Sequence, residues 1–230
     1  ALWSLMVVAK LVPESILPTP WAVLQGLVRE AQSGRLWLHI TSSFARLVVG
    51  FGIGAVAGVA IGGVLGASRR ARYALTPVLE ILRPIPPLAW IPLAIVWLGL
   101  GDAAKMMVIF FAAFVPSVIN SFAGVRQIDK PIFEAAAMLD VRGWRYWREV
   151  LVPGALPSIF TGLRLSLQAS WTTLVAAELV GAVAGLGQIL NQAAQDIYPA
   201  MILVGMISVA LCGWLMTLGL GSITFVLLAS

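Results

Sequence analysis

Residues 47–68 read LVVGFGIGAVAGVAIGGVLGAS, a run of 22 residues without a charged side chain. A helix of about 20 apolar residues crosses the roughly 30 Å hydrocarbon core of a lipid bilayer. Glycine recurs at every fourth position of the run, at Gly50, Gly54, Gly58, Gly62 and Gly66. This spacing places the glycines along one side of a helix, where a second helix backbone can approach closely. We therefore predict a membrane-spanning helix that packs inside a bundle, with a pore-lining face as the alternative.

The composition of the whole chain indicates a membrane protein. Of its 230 residues, 60% are hydrophobic and only 11% are charged, and the mean hydropathy is +0.96. Soluble proteins average about 25% charged residues, so this chain has too few polar side chains to cover a water-exposed surface. A soluble globular enzyme, a collagen-like chain and a disordered chain are excluded. The basic residues behind the net charge of +5 lie in short loops, a pattern typical of membrane topology rather than of nucleic-acid binding.

The other apolar runs predict an all-α transmembrane fold, a bundle of about six helices in a single domain over 1–230. The expected spans cover about 1–12, 38–67, 76–98, 104–124, 158–184 and 200–229. We expect the short first run to be the end of a helix whose beginning is absent. The third run carries four prolines within 84–92, so a regular helix is not expected over 83–87. A helix entry that tolerates proline and a broken segment lining a substrate path both remain open.

Basic residues predict the orientation of the spans. The stretches after the second and fourth spans carry eight of them: Arg69, Arg70, Arg72, Arg126, Lys130, Arg142, Arg145 and Arg148. The stretches on the other side carry three: Arg29, Arg35 and Lys105. By the positive-inside rule, the first set and both termini are expected in the cytoplasm.

Cysteine and histidine are too scarce for several kinds of site. Cys212 is the only cysteine and His39 the only histidine. An intrachain disulfide, a cysteine zinc site and a multi-histidine metal site are therefore excluded. We expect His39 to be a polar residue at the membrane–water interface. A membrane-embedded enzyme is disfavoured, because a nucleophile–base or metal constellation is hardly available.

The segment 126–157, between the fourth and fifth spans, is not membrane-like. Asp129, Pro131 and Glu134 predict a short helix with Asp129 as its cap, and 142–148 forms a basic amphipathic stretch. Pro153 and Pro157 are expected to break the chain before the fifth span. A loop of this length is usually functional. A helix lying on the membrane surface is the alternative interpretation.

The loop also carries a family resemblance. Glu134-Ala135-Ala136, followed nineteen residues after Glu134 by Pro153, resembles the EAA loop of ABC-importer permeases. Further segments in the same order are similar to the nitrate, sulfonate, taurine and bicarbonate permeases, and together they extend the resemblance over nearly the whole chain: 82–93, 97–102, 156–164, 176–178 and 185–187. The segments 83–92 and 171–179 look most like taurine and alkanesulfonate members.

One position departs from the pattern of that loop. The EAA pattern has glycine where this chain has Asp140, with Gly143 three residues later. Aspartate takes left-handed backbone conformations less readily than glycine. We expect Asp140 to reshape the turn between the two loop helices.

The resemblance implies a multi-pass permease of a bacterial inner membrane, in an importer driven by ATP. It implies a homodimer surrounded by membrane lipid, a cytoplasmic ABC ATPase dimer that binds ATP and Mg, and a periplasmic or lipid-anchored substrate-binding protein. By the same resemblance, the ATPase is contacted through Glu134, Ala135 and Ala136 in a loop that includes Asp140, Gly143 and Pro153. The expected substrate is a small oxyanion such as taurine or another alkanesulfonate, with nitrate and bicarbonate as further options.

The sequence itself supports an ATPase that is separate from this chain. No lysine is preceded by glycine, so the phosphate-binding loop G-x-x-x-x-G-K-[ST] is absent and no cofactor is expected on this chain. The alternative function is a secondary transporter or channel for a small anion that works without ATP. We find no convincing repeat between the two halves of the chain, and this alternative leaves the structured loop unexplained.

Charged residues inside the predicted spans are candidates for function. Arg46 and Glu178 both fall about 9–12 Å below the outer surface at about 1.5 Å per residue, so we predict an ion pair that is either structural or part of an outer gate. Arg83 and Arg164 lie nearer the cytoplasmic ends, where they either reach the interface or attract an anion. The candidate substrate path also includes Pro86, Pro87, Trp171 and Thr172, with core packing as the alternative for the tryptophan.

Overall fold

The computed structural model describes residue 13 and residues 16–229, which are almost entirely helical and contain no β-strand. The helices are α1 (Pro20–Gln32), α2 (Arg35–Ala67), α3 (Arg69–Leu82), α4 (Ile91–Leu98), α5 (Asp102–Gln127), α6 (Lys130–Met138), α7 (Gly143–Tyr146), α8 (Val152–Gly181), α9 (Leu186–Gln195) and α10 (Pro199–Ala229). A 3₁₀ turn, Pro87–Trp90, precedes α4, and a π turn, Trp147–Leu151, joins α7 to α8. The predicted all-α transmembrane class is confirmed. The predicted span 1–12 lies outside the described residues.

Four helical segments are long and apolar enough to cross a bilayer: Arg35–Ala67, Asp102–Gln127, Gly143–Gly181 and Pro199–Ser222. A fifth crossing would need α3 and Pro87–Leu98 together, and these two helices are bent by 85° at the break between them.

The predicted third span, 76–98, is therefore not one continuous helix. Helix α3 already begins at Arg69, because the Ser68 side chain caps it by accepting from the Ala71 N–H at 3.3 Å. It ends at Leu82, just before the proline run. The irregular backbone expected over 83–87 is confirmed, since prolines in this run cannot donate backbone hydrogen bonds.

The glycine ridge of α2 lies against α5. A Cβ added to Gly54 would lie 2.9 Å from the Cβ of Ala113, and one added to Gly58 would lie 2.6 Å from the Cβ of Ser117. Real Cβ atoms essentially never approach so closely. The predicted packing role of the ridge is confirmed, because the two helices approach backbone to backbone where only glycine fits.

Helix α5 lies between α2 and α8. Its contact with α8 includes a buried hydrogen bond between the hydroxyls of Ser117 and Ser166, 2.8 Å apart. Gly162 of α8 approaches equally closely, since an added Cβ would lie 2.5 Å from the Cβ of Asn120. These three helices form the centre of the bundle.

The predicted chain break at Pro153 and Pro157 is wrong. The chain is helical without interruption from Gly143 to Gly181, through α7, the π turn and α8. In the π turn the Val152 N–H donates to the Trp147 carbonyl five residues back. The missing donor of Pro153 therefore falls where the regular i→i−4 pattern is already interrupted, which is a common place for proline in a continuous helix. The fifth span thus begins earlier than the predicted 158.

Candidate functional site

The loop helix α6 forms where the sequence places it, but its start differs in one detail. Asp129 is the N-cap residue and Pro131 lies in the first turn. Asp129 therefore takes the predicted N-cap position. Its side chain makes no capping hydrogen bond, so the predicted capping by the carboxylate is wrong. A cap side chain normally accepts from the N–H of the second or third helical residue. The second is Pro131, which has no N–H, and the Ile132 N–H donates to the Asp129 backbone carbonyl at 3.1 Å.

The three residues of the EAA triplet differ in their solvent exposure. Glu134 and Ala135 are exposed, whereas Ala136 is buried against the rest of this chain. Successive helical residues are rotated by about 100°, so three in a row cannot all face outward. The expectation that Ala136 contributes to an outside contact is therefore corrected: Ala136 supports α6 from within.

An apolar surface lies beside Glu134 on the same loop. Met138 is 86% exposed, Leu139 76% and Trp144 77%. Exposed large apolar side chains grouped on a segment outside the predicted spans are typical of a contact with another protein or with a membrane surface. Sequence reasoning did not select Met138 and Leu139, although their position directly after the triplet in a non-membrane loop was a usable signal.

Asp140 terminates α6 in the left-handed conformation. Its φ is 50°, its N–H donates to the Ala137 carbonyl at 3.2 Å, and the Val141 N–H donates to the Ala136 carbonyl at 3.0 Å. This pair of hydrogen bonds is the Schellman arrangement, in which glycine is usual at the left-handed position. The expected reshaping of the turn is not found, because Asp140 takes the conformation that glycine favours. Gly143, with φ of 59°, begins α7.

A hydrophobic cluster joins the loop to the bundle. Phe133 of α6 lies 6.3 Å from Tyr146 between ring centroids, and both pack with Trp147 against Leu151 and the end of α5. Trp147 also reaches α2, where its Cζ3 atom lies 3.3 Å from the position of a Cβ on Gly63. The cluster therefore connects α6 to α2, α5 and α8 through packed side chains.

The predicted Arg46–Glu178 pair forms at the opposite end of α2. The Arg46 Nη1 donates to Glu178 Oε1 at 2.7 Å and to the Ala184 carbonyl at 2.6 Å, while its Nε donates to Asp102 at 2.7 Å. Glu178 is 0% exposed. It also accepts from the Ser43 hydroxyl at 2.8 Å. The carboxylate is thus fully partnered, as a buried charge requires.

This network also fixes the loop between α8 and α9. The backbone N–H groups of Gly185, Leu186 and Gly187 donate to His39 Nδ1 at 2.9 Å, to the Ser43 hydroxyl at 2.9 Å and to Glu178 Oε2 at 3.0 Å. Gly185 has φ of 151°, and any added Cβ would collide with the Glu178 carboxylate.

Sequence reasoning missed part of this network. It did not assign Ser43 and Asp102 to the site, and the signal available for both was a polar residue near the end of an apolar run. His39 is more than an interfacial polar residue, because it accepts a backbone hydrogen bond from the loop.

A second group of predicted residues lines a cavity of about 200 Å³ beside the proline run. Arg83 and Pro87 line it where the 85° bend occurs, opposite Pro116 of α5. Trp90 and Phe111 also line the cavity and stack with their ring centroids 4.3 Å apart. The broken segment therefore borders this cavity, and the exposed Arg83 brings one guanidinium to it.

The remaining candidate path residues lie elsewhere. Arg164 is exposed on α8 near Gly221 of α10, and it does not line this cavity. Trp171 packs in the main hydrophobic cluster, which agrees with the core alternative. Thr172 is exposed and its hydroxyl donates to the Gln168 carbonyl at 3.2 Å. Pro86 precedes the 3₁₀ turn outside the cavity lining. The eight candidates thus do not form one continuous path in this chain.

No group of three or more His, Cys, Asp and Glu side chains suited to a metal ion occurs in the described part of the chain.

Comparisons with known sequences and structures identify relatives of this chain. Residues 50–229 match the family model described as binding-protein-dependent transport system inner membrane component. The taurine transport system permease protein of Escherichia coli (strain K12) is 34% identical over 95% of this chain and 81% of its own length. A permease protein of Bacillus subtilis (strain 168) named for aliphatic sulfonate transport is 36% identical over 93% of this chain and 77% of its own length.

A nitrate import permease protein of Synechocystis sp. is 35% identical over 79% of this chain and 66% of its own length. Among solved structures, a chain of the MetNI methionine ABC transporter in an inward-facing conformation superposes with a TM-score of 0.66 at 21% identity. That likeness covers 83% of this chain and 98% of the other, and it extends to the fold.

Proposed function

Because this chain belongs to the family of binding-protein-dependent transport system inner membrane components, we propose that it is the permease of an ATP-driven importer for a small oxyanion. The family assigns the chain to the inner membrane as a transport component. The proposal adds an ATPase dimer in the cytoplasm, a binding protein on the other side, and pairing of two copies of this chain.

The observation that carries the proposal is the surface of α6. A helix outside the spans exposes a carboxylate, Glu134, and the same loop exposes the apolar side chains of Met138, Leu139 and Trp144. A charged group beside an apolar patch is suited to a helix that docks into a groove of a partner protein. ATP and Mg would bind to that partner, since the sequence lacks a phosphate-binding loop.

Coupling would follow from the packed contacts above α6. Closure of the ATPase dimer would move the two loops, and the cluster around Phe133 and Trp147 would pass that movement to α2, α5 and α8. The bundle would open outward when the ATPase closes and return inward after hydrolysis. Glu134 and Ala135 would form the contact, with Asp140, Gly143 and Pro153 shaping the loop.

The substrate class is proposed from the cavity and from the relatives. Arg83 offers a planar donor fork that suits a sulfonate, nitrate or carboxylate group. Relatives named for taurine and aliphatic sulfonate transport cover most of the chain, so a sulfonate such as taurine is the proposed substrate.

The test is co-purification with the ATPase encoded by the same host, in nanodiscs, for wild type and Glu134→Arg. Glu149→Arg is the matched control, because Glu149 lies in the same region and pairs only with exposed Arg145 at 3.1 Å. Such a pair contributes about 0–1 kcal/mol to stability. The ATPase should accompany wild type and the control, and it should be lost from Glu134→Arg.

A chain that purifies folded and alone, and that transports a small anion without ATP, would overturn the proposal in favour of a secondary transporter or channel.

A further inference from the structure

A cleft of about 420 Å³ opens at the end of the bundle opposite α6. It lies between α1, the start of α2 and helix α9, and it shares no residue with the cavity at Arg83. The start of α2 is remote from the loop end, because Gly63 near the other end of α2 contacts Trp147. Small-molecule pockets typically enclose about 300–1,000 Å³, so the cleft is large enough for a ligand.

The acidic groups of the cleft are already engaged. Glu30 forms an ion pair with Arg35 at 2.5 Å, and Asp196 accepts from the Gln192 amide at 3.1 Å. The charge of Glu30 is thus balanced by Arg35, whereas the Gln192 amide is neutral and Asp196 keeps its negative charge.

Several donors of the cleft are free. The guanidinium of Arg29, the amide of Gln188 and the hydroxyl of Tyr198 line it, and none has a side-chain hydrogen-bond or ion-pair partner within the described residues. His39 adds a fourth donor, because its Nδ1 accepts from Gly185 and the proton of the neutral ring is then assigned to Nε2. The unpartnered groups are dominated by donors, and one carries a full positive charge.

We propose that this cleft is a second binding site, which holds a small organic sulfonate through Arg29 and the neighbouring donors. The planar guanidinium donates two parallel hydrogen bonds to an oxyanion, and the neutral donors satisfy its remaining oxygen. Its position on the extracytoplasmic side and the choice of a sulfonate rest on the proposed function; the binding of an oxyanion at Arg29 does not.

The site has a structural link to the buried network. A ligand at His39 lies one hydrogen bond from Gly185, in the loop that also bonds to Arg46 and Glu178. A ligand in the cleft would therefore be connected to this loop through His39.

The test measures binding of taurine and methanesulfonate to the purified complex in nanodiscs, without binding protein, by isothermal titration calorimetry. Arg29→Gln should weaken binding at least about tenfold, since it removes a charge-assisted contact. Tyr198→Phe should weaken it about twofold to tenfold while keeping the ring. Arg29→Lys should restore part of the loss. Arg70→Gln is the matched control, because Arg70 is exposed at the start of α3 and lines neither cavity. Arg83→Gln tests the other cavity separately.

The outcomes separate this site from the proposed function. Loss with Arg29→Gln and retention with Arg70→Gln supports the cleft, even if the complex imports another substrate. Absence of saturable binding, or loss with Arg83→Gln alone, overturns the proposal. So does a loss of binding-protein affinity in Arg29→Gln with unchanged sulfonate binding, which would make the cleft a protein-docking surface. If Arg29→Gln does not fold, unchanged affinity in Tyr198→Phe and Arg29→Lys overturns it.

Discussion

The Arg46–Glu178 pair offers a quantitative test of the buried network. Replacing Arg46 with Met keeps most of the side-chain volume and removes the charge. Glu178 would then retain only the Ser43 hydroxyl and the Gly187 N–H as donors while being 0% exposed. A buried ion left without its counter-ion costs about 3–5 kcal/mol.

The reverse substitution should cost less. In Glu178→Gln, Arg46 keeps its hydrogen bonds to Asp102 at 2.7 Å and to the Ala184 carbonyl at 2.6 Å. Loss of one charge-assisted hydrogen bond costs about 1.5–3 kcal/mol. The double variant removes both charges, so its destabilisation should fall short of the sum of the single variants by at least about 1 kcal/mol.

The assay is reversible unfolding in mixed micelles with increasing sodium dodecyl sulfate, followed by tryptophan fluorescence. Arg164→Met is the control, because Arg164 is exposed on α8 and its loss should stay within about 0.5 kcal/mol. Strictly additive effects, or an Arg46→Met cost equal to that of the control, would refute the reasoning that the pair compensates a buried charge.

Three further predictions concern packing and the loop. Gly58→Val should prevent recovery of monodisperse protein in size-exclusion chromatography. Gly52→Val should not, because an added Cβ there meets nothing within 4 Å. Equal recovery of the two variants would contradict the close packing of α2 against α5. Trp147→Ala should lower substrate transported per ATP several-fold, because it removes the contact with Gly63, and an unchanged ratio would exclude that route. Asp140→Gly should raise the free energy of unfolding by up to about 1 kcal/mol by relieving its left-handed strain; a lower melting temperature would contradict this.

The sequence predicted features that depend on local pattern. The glycine period of α2 predicted close packing, and the four-proline run predicted the break after Leu82. The depth estimate for Arg46 and Glu178 predicted their pairing, because two isolated charges at the same depth in a bilayer must find partners.

Features that depend on tertiary placement could not be read from the sequence. The identity of the helix facing the glycines and the burial of Ala136 both require the folded bundle. Pro153 appeared to end a helix because the π turn before it has no recognisable sequence signal. The cleft at Arg29 combines residues from α1, α2, α9 and α10, so no single segment of the sequence predicts it.

The glycine seam between α2 and α5 limits how this bundle can change shape. Helices separated by large side chains can slide past each other, because rotamers readjust as the contact shifts. At Gly54 and Gly58 no such side chains intervene, and a small axial shift would drive one backbone into the other. The close packing therefore opposes shear between α2 and α5, and we expect these two helices to move together. Any rearrangement of the bundle must be absorbed by hinges outside that pair.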